Sequence, residues 1–193
     1  MKNTKVLVEG AIMLALATVL CFIRIIKLPW GGSVTLLSML PITLFSIRRG
    51  VKMGMIVSVL FSLIQFFQGI LDGLFGWGLT PGMLIACILL DYLLAYSILG
   101  IAGIFRKEGL PGYLGGIGLA VFLRFIVHFL SGIIIWKSVG ALWEGFTTEN
   151  FYVYSLLYNG AYMLPELIFT VLGAWALLSV PQTQRLLLTD ETK

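Results

Sequence analysis

The chain is divided into apolar runs that approach the ~20 residues a bilayer-spanning helix needs, and nothing else in it constrains the fold as strongly. Inside lipid every backbone N–H and C=O must be satisfied by the protein itself, which leaves helices or a closed barrel. Long unbroken runs without period-two alternation select helices. Six are read: Lys5 to Ile26, Ser33 to Ile47, Val51 to Gly73, Gly82 to Phe105, Tyr113 to Trp136 and Tyr152 to Val180. Breakers separate them, among them Lys27-Leu28-Pro29, Arg48-Arg49-Gly50, Gly76 to Pro81, and Pro181. The expected fold is an all-α integral membrane protein, a bundle of six transmembrane helices forming a single domain over 1–193.

Composition supports this reading. Hydrophobic residues make up 59% of the chain and charged residues 11%, with a mean hydropathy of +1.01. A soluble domain carries roughly 25% charged residues, so a soluble enzyme, a DNA-binding module and a disordered chain are excluded. The 193 residues leave room to bind a ligand and none for an ATPase. Lys2 and Lys5 followed by Ala15-Leu16-Ala17 have the outline of a signal peptide. The apolar stretch continues past that site, so it is read as the first span. Cys21 and Cys87 both sit inside apolar runs, which argues against a disulfide framework.

Lys and Arg residues set the expected orientation. With the N-terminus inside, nine fall on the cytoplasmic side (Lys2, Lys5, Arg48, Arg49, Lys52, Arg106, Lys107, Arg185, Lys193). Three fall outside (Arg24, Lys27, Lys137), so both termini are expected in the cytoplasm. Trp30, the Gly76–Pro81 turn and the long Lys137–Phe151 connection, a candidate lid, then gather on the outer face.

A charge at the bilayer centre costs roughly 2.5–3.5 kcal/mol, which makes an intramembrane ionisable group a functional candidate. Asp91, Arg124, His128 and Glu166 are such groups, whereas Glu9 lies near the inner end of its span. Asp91 and Glu166 are either ligand contacts or members of an ion pair with Arg124. Arg124, His128 and Ser131 are spaced i, i+4, i+7 on one helical face, and Trp136 continues that stripe outward. Read singly, His128 is a hydrogen-bonded bundle residue and Trp136 an interfacial belt residue. Together on one face they favour a site. Ser155, Asn159, Tyr162 and Glu166 form a second polar stripe, and Pro165 frees a carbonyl near Asn159 to Ala161. The alternative for this stripe is helix packing held by polar groups.

Trp30, Tyr92, Trp136 and Tyr154 offer aromatic faces to a flat or cationic ligand. Carboxylates favour positive charge or amino donors, and Asn159 and His128 can read ring nitrogens. A cationic, aminated heteroaromatic small molecule satisfies all of these. No Walker A, H-E-x-x-H or G-x-S-x-G motif occurs, and the lone His128 has no metal-ligand partners at suitable spacing. No enzyme chemistry, cofactor or metal is expected.

The segment Tyr154-Ser-Leu-Leu-Tyr-Asn159-Gly-Ala-Tyr-Met-Leu-Pro-Glu166 resembles the sixth helix of the thiamin-specific S-components of energy-coupling factor transporters, the ThiT or YuaJ family. Pro29-Trp30-Gly-Gly-Ser33-Val-Thr-Leu, Met39-Leu-Pro41, Leu89-Leu-Asp91-Tyr92 and His128-Phe-Leu-Ser-Gly132 with Trp136 extend the likeness over nearly the whole chain. The resemblance implies a multi-pass subunit of a prokaryotic plasma membrane that captures thiamin, or a close analogue, from outside. Its implied partners are a transmembrane coupling protein and two cytoplasmic ATPases, with no nucleic acid. It implies pocket roles for Trp30, Tyr92, His128, Trp136, Tyr154 and Asn159. Asp91 stands where many relatives carry Glu, one methylene longer, and Leu71 to Met83 departs from a His-Pro-containing stretch. Ala11 and Ala15 form a small-x-x-x-small pair on the first helix; in S-components a similar motif packs on the coupling protein.

Two other readings compete. One is an S-component for a pyrimidine or thiazole precursor. The other is an autonomous carrier in which Asp91, His128 or Glu166 relays protons.

Overall fold

The computed structural model describes residues 2–28 and 31–188, with no side-chain detail at Lys2 and Asn3. Trp30, and the terminal Lys193 of the charge count, lie outside the described residues. Helix α1 (Lys2–Phe22) leads into a two-stranded antiparallel hairpin, β1 (Arg24–Lys27) and β2 (Ser33–Thr35). A short helix α2 (Leu40–Arg49) turns at Gly50 into α3 (Val51–Leu71). Two long helical segments follow, α4 (Pro81–Phe105) and α5 (Gly109–Trp136). A second hairpin, β3 (Gly140–Trp143) with β4 (Phe146–Thr148), precedes α6 (Phe151–Leu178) and a short terminal helix α7 (Pro181–Leu188).

Among the described residues, five helices (α1, α3, α4, α5 and α6) are long and apolar enough to cross a membrane. The second expected span, Ser33 to Ile47, is where structure and expectation diverge. Only its second half is helical. Leu37 adopts φ 58°, a left-handed conformation that a regular helix does not admit. Pro41 then stands in the first turn of α2, where its missing N–H costs nothing. Every residue from Leu40 to Ile47 is buried, so α2 is a wedge inside the bundle.

The first run also ends early. Ile23 to Ile26 are β-branched apart from Arg24, and their backbone pairs with β2 instead of extending α1. The connection between α5 and α6, expected as a loop, carries the β3–β4 hairpin.

Phe45 of α2, Phe61 of α3, Leu99 of α4, Ile117 of α5 and Met163 of α6 meet in one buried core. Close backbone approach makes this possible. A Cβ on Gly100 would stand 2.6 Å from the Met55 backbone, so α3 and α4 touch main chain to main chain. Ser46 joins α2 to the same place, donating to the Gly100 carbonyl and accepting from Gly103 N at 3.0 Å.

The two ends of the bundle differ in character. Arg24 on β1 is bound to Asp72 at the end of α3 by paired bonds of 2.9 and 2.6 Å, and Lys27 approaches the same carboxylate at 3.3 Å. That contact clamps the first hairpin to the α3–α4 connection. At the opposite end Arg48 and Arg49 share Glu9 of α1, and Arg48 donates to the carbonyls of Leu186 and Leu187.

Candidate functional site

A cavity opens at the hairpin end, between β1–β2, α3, α4, α5 and α6. Both α4 and α5 depart from α-helical geometry beside it. Residues Ile88–Leu94 and Gly132–Trp136 form wider π-helical turns, a deviation frequent at functional sites. The first carries Asp91 and Tyr92. The second ends at Lys137, whose left-handed backbone (φ 42°) halts the helix, and it holds Trp136 where its indole can turn inward.

Asp91 is the centre of the cavity's polar network. Its carboxylate meets His128 Nδ1 at 3.0 Å, and it accepts from Ser131 Oγ at 2.6 Å and Trp136 Nε1 at 3.1 Å. An ionised carboxylate only accepts, so the His128 proton belongs on Nδ1. That assignment leaves Nε2, which is buried and has no partner among the described residues, as an acceptor. Aromatic rings surround the imidazole: Tyr96 and Tyr162 lie edge-on to it, with centroids 6.5 and 5.9 Å away. Tyr154, Tyr158 and Tyr162 succeed one another along α6, the first two stacked at 6.2 Å.

Close packing fixes these rings. A Cβ on Gly32 would lie 2.8 Å from the Tyr158 hydroxyl and 3.0 Å from the Tyr162 ring, so the hairpin backbone is pressed onto α6 there. A Cβ on Gly69 would collide with the Tyr92 hydroxyl, so α3 needs a glycine at that level to admit the ring.

The other intramembrane groups take distinct places. Glu166 Oε1 accepts from Thr35 N at 2.5 Å and Thr35 Oγ1 at 2.7 Å, which fastens β2 to α6, while Oε2 is buried with no partner among the described residues. Arg124 forms no ion pair with Asp91 or Glu166 among the described residues. Its guanidinium instead lies 4.1 Å from the Tyr96 ring centroid, a cation–π contact, and Nη1 approaches Met39 Sδ at 3.0 Å. Asn159 is wholly engaged by the protein: Nδ2 donates to Ser155 O (2.9 Å), Ser155 Oγ (3.2 Å) and His128 O (3.3 Å), and Oδ1 accepts from Tyr162 (2.8 Å). It brackets α5 against α6 and orients two cavity rings.

Asp91, Tyr92, His128, Trp136, Tyr154, Asn159 and Glu166 thus all line one cavity. Trp30 lies outside the described residues. Ala11 and Ala15 are exposed on α1 and do not line the cavity.

Trp77 also lines the cavity and is absent from the sequence expectation. It packs edge-on against Trp136 at 5.7 Å, and its ring edge would lie 3.1 Å from a Cβ on Gly31. It therefore spans from the α3–α4 connection to the first hairpin. An aromatic set between two glycines in a loop, Gly76-Trp77-Gly78, was the available signal. Gln65 and Gln68 of α3 line the cavity too; with Ser58, Ser62 and Gly69 they make a polar stripe like that of α6.

Fold and cavity together define a multi-pass membrane protein with a cavity at one end, fringed by aromatic rings around a hydrogen-bonded carboxylate. The family model for "Thiamine transporter protein" (Thia_YuaJ) matches residues 7–186, and the chain belongs to that family, one of transporters and not of enzymes. The chain is 34% identical over 176 residues to thiamine transporter ThiT of Bacillus subtilis (strain 168), covering 84% of each chain. It is 28% identical over 199 residues to ThiT of Lacticaseibacillus paracasei, covering 93% of this chain and 89% of the relative. A solved structure of ThiT from Listeria monocytogenes shares the fold, with a TM-score of 0.67 at 24% identity, over 95% of this chain and 98% of that one.

Proposed function

We propose that this chain is the thiamin-binding S-component of an energy-coupling factor importer. It takes thiamin into the cavity at the hairpin end and passes it to a transmembrane coupling protein with two cytoplasmic ATPases. The observation that carries the ligand class is the Asp91 cluster: a negative charge fixed by His128, Ser131 and Trp136, beside an imidazole nitrogen with no partner among the described residues and ringed by tyrosines. A ligand with a cationic ring and an amino-bearing aromatic ring meets both needs, and thiamin is such a molecule. The curated relatives are named as thiamine transporters.

Trp30, Asp91, Tyr92, His128, Trp136, Tyr154, Asn159 and Glu166 are the proposed substrate-binding residues. In this reading His128 Nε2 accepts from the ligand's amino group, Asp91 supplies charge, and Asn159 acts by holding His128 and Tyr162. Both termini are cytoplasmic, the cavity faces outward, and residues 1–193 act as one domain. Ala11 and Ala15 on the exposed face of α1 pack against the coupling protein.

Titration calorimetry of the purified chain with thiamin tests the ligand. Saturable binding at micromolar or lower concentration is expected; no heat, and no thermal protection at that concentration, would overturn the assignment. Displacement of thiamin by hydroxymethylpyrimidine at equal or lower concentration would reassign the site to a precursor. Thiamin uptake by vesicles containing this chain alone would replace the subunit reading with that of an autonomous carrier.

A further inference from the structure

At the end of the bundle opposite the cavity, the α2–α3 junction and the α4–α5 turn enclose an open cleft of about 480 Å³. Four basic side chains line it, Arg49, Lys52, Arg106 and Lys107, against one carboxylate, Glu108. The charge is not neutralised locally. Arg49 shares Glu9 with Arg48, while Lys52, Arg106 and Lys107 make no ion pair among the described residues. The Arg106 guanidinium lies against the bare backbone of Gly50. A Cβ there would stand 2.8 Å from Nη1. The cleft is also amphipathic. Val51, Ile104 and Phe105 complete its wall, and Ile104 is 54% exposed on the apolar flank of α4.

We infer that this cleft is a binding site for the phosphate headgroup of an anionic phospholipid, whose acyl chain lies along the exposed face of α4 at Ile104. Basic pockets between helix ends attract anionic headgroups, each Lys or Arg near the surface adding to the attraction. A free phosphate ion would use the basic residues alone. The apolar wall, continuous with the lipid-facing surface, favours a ligand that is charged at one end and apolar at the other. The site is independent of the cavity and its ligand.

Native mass spectrometry of the full chain, released from micelles doped equally with phosphatidylglycerol and phosphatidylcholine, tests this. The chain is expected to retain phosphatidylglycerol preferentially. The variant Arg106→Gln/Lys107→Gln should lose the preference by roughly fivefold for each charge removed, with its melting temperature unchanged. The control variant Lys5→Gln/Lys137→Gln removes two charges elsewhere and should keep it. Equal retention of the two lipids by the parent chain, or an undiminished preference in Arg106→Gln/Lys107→Gln, would overturn the site. So would an equal loss in the control, which would assign the effect to overall charge. Displacement of the lipid by millimolar inorganic phosphate would reassign the cleft to a free anion.

Discussion

A carboxylate that already accepts three hydrogen bonds has little left to offer a ligand except its charge, and Asp91 is such a carboxylate. Directional recognition therefore falls to its neighbours. His128 presents a buried Nε2 with no partner among the described residues, so His128→Ala should weaken thiamin binding at least about tenfold, some 1.4 kcal/mol. Asn159→Ala should cost about as much without touching the ligand, because it releases the His128 carbonyl and the Tyr162 hydroxyl together. Calorimetry on both variants checks this, and parent-like affinity in the two would place the site elsewhere. Trp77 acts differently, since it bridges Trp136 and the hairpin at the cavity's mouth. Trp77→Ala should speed thiamin dissociation several-fold while Trp77→Phe retains most of the barrier, as an aromatic contact of about 0.5–1.5 kcal/mol would. Stopped-flow fluorescence of bound-ligand release would show it; an unchanged off-rate in Trp77→Ala would remove Trp77 from the site. The membrane-embedded polar groups were readable from sequence because each is costly in lipid and stands at helical spacing. Trp77 carried only the weak signal of an aromatic between two loop glycines, because its role comes from contacts across two loops. Gln65 and Gln68 had the spacing but, being uncharged, stand out less among apolar neighbours.

At the level of elements, the helices were legible where the apolar run was long and the hairpins were not. Ile23-Arg24-Ile25-Ile26 reads as the end of a span because hydropathy does not distinguish a β-branched strand from the last turn of a helix. The partner that decides the matter, Thr35, is fixed by a carboxylate 131 residues away. The hairpin is also tied from outside by Asp72. The Arg24 guanidinium bonded to it holds that carboxyl below the ordinary carboxylate range. A carboxyl with a depressed folded pKa stabilises above its unfolded value, about 4, and loses that contribution as pH falls through the folded value. The clamp should thus be intact from pH 7 to pH 5 and weaken only in strong acid. Asp72→Asn should lower the hydrogen-exchange protection factors across β1 and β2 at pH 7 and leave them no longer sensitive to acid; unchanged protection would show that Glu166 alone holds the hairpin. Within the bundle, the α3–α4 crossing depends on missing side chains. Gly100→Ala places a methyl against the Met55 backbone, which cannot yield as a flexible side chain would. Overpacking of this kind costs about 1–3 kcal/mol, so the melting temperature in detergent should fall by several degrees. Parent-like melting would mean that the two helices separate freely.

Over the whole molecule, chemistry is segregated by end. The cavity, both hairpins and the Arg24–Asp72 clamp occupy one end. The Glu9–Arg48–Arg49 cluster and the basic cleft occupy the other. A bilayer converts that asymmetry into an orientation, because Lys and Arg are retained on the cytoplasmic side during insertion. The same asymmetry explains why a chain with 22 charges in 193 residues can place so few of them at random: most either anchor an end or line a site. Cysteine labelling in whole cells would test the inferred orientation in a background where Cys21 and Cys87, which are buried but line the cavity, are replaced by alanine. Ser138, at the cavity's rim beside Trp136, should react as Ser138→Cys with an impermeant maleimide applied from outside. Saturating thiamin should slow that reaction, because the ligand would occupy the space the reagent must enter. Gln182→Cys, on the exposed part of α7 near the arginine cluster, should react only after the membrane is made permeable. The reverse pattern would invert the molecule in the membrane and turn the cavity inward, and with it the direction in which a bound vitamin could be carried.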